Sequence, residues 1–119
     1  MAEADRDEVR KFLRRFKRIA ASTPISFVDR DKTDRTLLSL GLTRSNCKDE
    51  ILNLSVLDYF SGPQPDHNRS GYLWVFGKTI GATEIYIKLK IAESGSSEVP
   101  ICLSFHAAEA PLTYPFKDK

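Results

Sequence analysis

A chain of 119 residues, 41% hydrophobic and 29% charged, has single-domain size and ordinary globular composition. Its formal net charge of +2 excludes a global polyanion-binding signal, so any affinity for nucleic acid must come from how the cations are distributed. No apolar run reaches membrane-spanning length and the charged N-terminus has no signal-peptide core, so the cytoplasm is the expected compartment, with no membrane partner.

Asp5 followed by Glu8 resembles a helix N-terminus. Val9, Phe12, Leu13, Phe16, Ile19 and Ala20 then recur at three- and four-residue steps and predict an amphipathic helix. Arg10, Lys11, Arg14, Arg15, Lys17 and Arg18 fill its other faces. They read either as a solvated surface or as a basic stripe for phosphates or an acidic partner. Thr23-Pro24 stops the helix. Residues 25–28 predict a short strand, residues 29–34 a charged connection, and Leu37, Leu38 and Leu40 before Gly41 a short helix. Thr43 or Ser45 caps a further helix running to about Leu54. Residues 57–59 read as a turn or a short extended piece.

Residues 61–71 carry Gly62, Pro63, Pro65, Asp66, Asn68 and Gly71, and read as a loop holding His67. Residues 72–76 are a β-prone aromatic run, and residues 77–83 a hairpin connection. Residues 84–91 alternate without a break: Ile85, Ile87, Leu89 and Ile91 on one face, Glu84, Tyr86, Lys88 and Lys90 on the other. Residues 101–106 repeat the pattern, with Ile101, Leu103 and Phe105 expected inward and Cys102, Ser104 and His106 outward. The tail beyond 107 reads as an extended strap with aromatic anchors at Tyr114 and Phe116. Helices followed by a three-strand meander predict one α+β domain over 1–119, with N-terminal helices packed on one face of a small antiparallel sheet.

Several absences narrow the chemistry. There is no glycine-rich phosphate loop and no dinucleotide fingerprint, so no cofactor is expected. Cys47 and Cys102 have no metal-ligand spacing and are expected as free thiols. Cys102 and His106 lie four residues apart on one strand, roughly 13 Å between Cα atoms, too far for one ion. No metal site is expected.

The open sheet face would then carry Tyr86, Lys88, Lys90, Ser104 and His106, a set suited to phosphate chemistry. Imidazole is the natural acid or base near neutrality. Lysines hold phosphate, and a tyrosine bonds phosphate or stacks on a base. Groups of this kind can cut RNA without a metal, by 2′-OH attack on the adjacent phosphorus. On composition alone, the expectation is a solvated sheet face with no activity.

The ordered run Leu40-Gly41-Leu42-Thr43, Ile51-Leu52-Asn53-Leu54, Asp58-Tyr59, Asp66-His67, Trp74, Ile85-Tyr86-Ile87-Lys88-Leu89 and Ser104-Phe105-His106 resembles the MqsR family of bacterial toxins, which have a RelE-like fold. The resemblance implies an mRNA interferase, with RNA as substrate, a cognate antitoxin as partner and the ribosome as a further candidate partner. The family's tyrosine falls on Tyr86. His106 stands where the family has a lysine, Val75 where it has a glutamine, and Ser61 lies near a lysine position with no counterpart here. The expected site therefore has His106, Tyr86 and Lys88 as catalytic residues. Lys90, Lys78, Ser104, His67, Trp74, Arg14 and Arg18 are expected to bind substrate. The alternative is a degenerate toxin or an RNA- or protein-binding module of the same fold.

Overall fold

The computed structural model describes residues 4–117. Helix α1 (Arg6–Ala20) opens on the reciprocal cap that Asp5 and Glu8 foreshadow. The Glu8 amide donates to the Asp5 carboxylate at 2.9 Å, and the Asp5 amide donates to the Glu8 carboxylate at 3.0 Å. Its six apolar stripe residues are all buried. Strand β1 is only Ser26–Phe27.

Helix α2 (Arg30–Leu40) takes in most of the stretch expected as a charged connection. That stretch holds no glycine or proline, and its charged side chains face water without opposing helix. Gly41 ends α2 in the left-handed region at φ 72°, the conformation that favours glycine at a helix end. Helix α3 (Arg44–Leu52) is capped by Thr43, whose hydroxyl accepts from the Asn46 amide at 3.1 Å. A single 3-10 turn, Val56–Asp58, leads into the sheet.

Four strands follow: β2 (Tyr59–Pro65), β3 (Tyr72–Ile80), β4 (Thr83–Ser94) and β5 (Ser97–Ala107). The order across the sheet is β1-β5-β4-β3-β2. The fold is α+β, as the order of elements predicts. The sheet differs from expectation in several details, among them that β3 runs on through residues expected as a hairpin connection. β1 runs parallel to β5, so the sheet is mixed rather than wholly antiparallel. The first part of the expected 61–71 loop is strand β2. It pairs through two register irregularities at the sheet edge, where prolines need not donate to a neighbour.

The helices pack on one face of this sheet. Phe12 and Phe16 of α1, Leu37 of α2, and Cys47 and Ile51 of α3 share a core with Tyr59, Phe76, Ile85, Ile87, Leu89 and Phe105. Fully burying one such aromatic or aliphatic side chain contributes roughly 1.5–3 kcal/mol. This inner face therefore fixes which side chains of each strand are left for the outer face.

The phase of β5 is not the one expected throughout. Lys88 pairs with Ser104, but Leu89 pairs with Cys102, so Leu103 is an extra residue in the ladder. The bulge turns Cys102 inward, where it is 1% exposed, and places Ile101 opposite Lys90 on the outer face. Beyond the bulge, Phe105 points inward and Ser104 and His106 outward, as predicted. Both cysteines are free and buried, and burial pushes the Cys47 thiol up to about 12.

The tail crosses the outer face as a strap. The Leu112 amide and the Tyr114 hydroxyl both donate to the Glu84 carboxylate, at 3.1 and 2.7 Å. Phe116 then stacks on Tyr59, with ring centroids 5.4 Å apart, beneath the Arg6 guanidinium.

Candidate functional site

Two rows of directly opposed residues build the outer face. Gly77, Tyr86 and His106 form one row, and Val75, Lys88 and Ser104 the next. Side chains opposed in this way have Cβ atoms about 4.5–5.5 Å apart. The Tyr86 and His106 rings stack, with centroids 5.3 Å apart and planes inclined by 14°. The Lys88 ammonium lies 5.8 Å from the Tyr86 ring centre. His106 Nδ1 sits 2.9 Å from the Ala107 carbonyl oxygen. A carbonyl can only accept, so this contact puts a proton on Nδ1 and leaves Nε2 of the neutral ring to act as base.

Tyr86, Lys88, Ser104 and His106 share a groove of about 420 Å³ with Phe60 and Lys32. Its remaining wall is the strap, through Glu109, Pro111 and Leu112. Lys32 of α2 pairs with Glu109 across the mouth at 3.4 Å. The exposed Glu109 carboxylate makes this a weak surface pair, of order 0–1 kcal/mol, easily opened by an anion.

The other expected binding residues lie elsewhere. Trp74 and Lys78 pair with Leu89 and Ile85, so they belong to the inner face. Trp74 stacks on Phe12 at 4.6 Å, and Lys78 is held by Glu50 of α3 at 2.9 Å. Arg14 and Arg18 stand on α1, across the sheet from the groove. Arg18 reaches Glu98 at 3.7 Å, while Arg15 bonds Glu93 and Glu98. Lys17 donates to the Leu54 carbonyl at 2.6 Å, and desolvation lowers its pKa. Among the described residues only Lys11 and Arg14 of the stripe have no such partner, so it is far less free than its sequence suggests. His67 is exposed in the β2–β3 loop and is not part of the groove wall.

Lys90 is on the outer face but is not available to a phosphate. It is 4% exposed and donates to the Asp66 carboxylate at 2.6 Å, which closes the β2–β3 loop over it. The hydrogen bond from Lys90, and then that from the Asn68 amide, hold the Asp66 carboxyl below its usual range. A depressed carboxylate stabilises the fold fully above its unfolded value, near 3.8, and loses that contribution as pH falls through the folded value. Asp66→Asn should therefore lower the thermal midpoint at neutral pH. The gap to wild type should narrow as pH drops below the ordinary carboxylate range. Parallel melting curves from neutral pH downward check this, and a gap that stays constant into acid would remove the pair from the account.

Sequence reasoning missed Phe60, Lys32 and Glu109. Phe60 could have been found, because Tyr59 and Phe60 adjoin and one of two neighbours in a strand must face outward. Lys32 and Glu109 carry no local signal, since they reach the groove only through packing of α2 and the strap.

The fold and the groove together define an α+β domain with a cationic, imidazole-bearing pocket on the face of its sheet that the helices leave open. Comparison with models of protein families, with curated proteins and with solved structures finds no match.

Proposed function

We propose that the protein is an endoribonuclease, acting in the cytoplasm as the toxin of a toxin–antitoxin pair of the MqsR-like kind. The observation that carries the proposal is the Tyr86–His106 stack beside Lys88 and Ser104 in one groove. His106 Nε2 takes the proton of a 2′-hydroxyl. The freed oxygen attacks the adjacent phosphorus and the 5′-oxygen leaves, protonated by water in the open groove. The products are a 2′,3′-cyclic phosphate and a 5′-hydroxyl. Lys88 offsets the charge that grows on the non-bridging oxygens. Tyr86 holds the imidazole plane and offers its hydroxyl to the phosphate, while Phe60 and Tyr86 give a base something to stack on.

Among the described residues no three His, Cys, Asp or Glu side chains are grouped to hold a metal ion. In this reading the Lys88 ammonium carries the charge compensation without a metal. Cleavage of a defined RNA should proceed at the same rate in excess chelator. Loss of cleavage in chelator, restored by magnesium or manganese, would overturn the metal-free mechanism. A cognate antitoxin covering the groove, and the ribosome as the place where message is presented, are the partners this reading implies.

One observation favours the second reading, a binding module without cleavage. The groove offers a single imidazole, and its carboxylate, Glu109, is already paired with Lys32. Retention of RNA by a protein that leaves it intact would select that reading.

A further inference from the structure

A second cavity, of about 520 Å³, lies on the other side of the sheet, between α1 and the ends of β3 and β4. It holds no imidazole and shares no residue with the groove. Its floor is aromatic. Trp74 is backed by Phe12, with the two rings inclined by only 13°, which fixes the indole plane. Tyr72 stands two residues before Trp74 on the same face of β3 and lines the same cleft. Tyr72 is 59% exposed, and among the described residues it makes no ring contact. A large aromatic ring left in water beside a formed cleft is an unused stacking surface.

The spacing is informative. Two residues along a strand advance roughly 6.6 Å. Atoms in van der Waals contact lie about 3.5 Å apart. One planar ring therefore fits between the side chains at 72 and 74, touching both. The rim selects among planar ligands. Lys11 and Arg15 supply donors, and Glu8 and Glu93 supply acceptors, with Arg15 and Glu93 paired at 2.7 Å. Two positive and two negative groups leave no net charge. That balance disfavours a phosphate or carboxylate in the cleft and suits an uncharged ring whose edge both donates and accepts.

We infer that this cleft binds a single unpaired nucleobase, stacked between Tyr72 and Trp74 with its polar edge toward the charged rim. The site is separate from the groove and does not depend on whether the groove cleaves RNA. On a longer strand it would be a second anchoring point, reached around the edge of the domain. Base–aromatic stacking tolerates every base because each has a π-face, so the site is expected to show little sequence preference.

Trp74 is the one tryptophan of the chain, so its fluorescence reports on this cleft alone. Adenosine and a short oligoadenylate are titrated separately into the whole protein, with excitation where tyrosine does not absorb. Saturable quenching by the nucleoside assigns the site to a base from any source. Quenching by the oligonucleotide alone assigns it to a strand. Tyr72→Ala should weaken either by roughly five- to 150-fold, the range for loss of one base–aromatic stack, while Tyr72→Phe keeps the ring and should bind as wild type. Tyr72 is exposed, so neither variant threatens the core. N-acetylphenylalaninamide serves as the mimic of a protein side chain. The inference is overturned by no quenching from either nucleic-acid probe, by quenching that Tyr72→Ala leaves unchanged, or by an equal response to the phenylalanine mimic.

Discussion

His106→Ala should slow cleavage of a defined RNA by at least about a hundredfold, the low end of what a positioned acid–base group contributes. The reason lies in its contacts. The Ala107 carbonyl orients the ring through Nδ1, and the Tyr86 ring holds its face. Removing the imidazole removes the one ring nitrogen that this reading uses as base in the groove. Lys88→Ala should act through charge, and its loss should grow with the charge on the phosphate in the transition state. Tyr86→Phe keeps the ring beside His106 and deletes only the hydroxyl. A small loss there, beside a large one in Tyr86→Ala, would assign the residue to holding the imidazole. His106 and Lys88 are only partly buried, so circular dichroism should find these variants folded. Cleavage at the wild-type rate by both His106→Ala and Lys88→Ala proteins would move the chemistry out of this groove.

The part of the site that was legible in the sequence came from strict alternation. In residues 84–91 every second side chain is apolar, so the phase of β4 has one reading, and Tyr86 and Lys88 follow from it. Residues 101–103 are Ile-Cys-Leu, apolar in any phase, so the extra residue at Leu103 left no mark. Its effect on Ile101 and Cys102 appears only in the pairing with β4. The same ambiguity hid Trp74, because residues 72–76 are continuously apolar and aromatic and have no phase until Phe76 is seen opposite Ile87. Lys90 illustrates a different limit. Its face was correct, but its burial depends on Asp66, twenty-four residues away in a loop whose course the sequence does not specify. The α1 stripe failed for a similar reason, since Arg15 and Arg18 are neutralised by Glu98 of β5. Local periodicity thus located the strand faces, while partners distant in sequence decided which charged groups on them remain free.

Gly77→Ala should destabilise the protein by about 1–3 kcal/mol, the usual cost of forcing an extra carbon into a packed site. Gly77 lies opposite Tyr86 on the outer face, under the strap. A Cβ there would sit 2.5 Å from Leu112 Cδ1 and 2.5 Å from the Tyr114 hydroxyl. The Tyr114 hydroxyl does not yield freely, because it donates to the Glu84 carboxylate, and the Leu112 side chain is carried on a backbone whose amide donates to the same carboxylate. Burial, and then the Glu84 carboxylate, raise the Tyr114 pKa, so the hydroxyl stays a donor through the range in which the protein would be studied. Lifting the strap would also move Pro111 and Leu112, and with them one wall of the groove. Chemical denaturation should show the loss of stability, and limited proteolysis should show faster cutting after residue 107. A double-mutant comparison isolates the cause. In a Leu112→Ala, Tyr114→Ala background the space above Gly77 is empty, so adding Gly77→Ala should cost much less than it does in the wild type. An equal cost in both backgrounds would mean that the glycine serves the strand itself and not the passage of the strap.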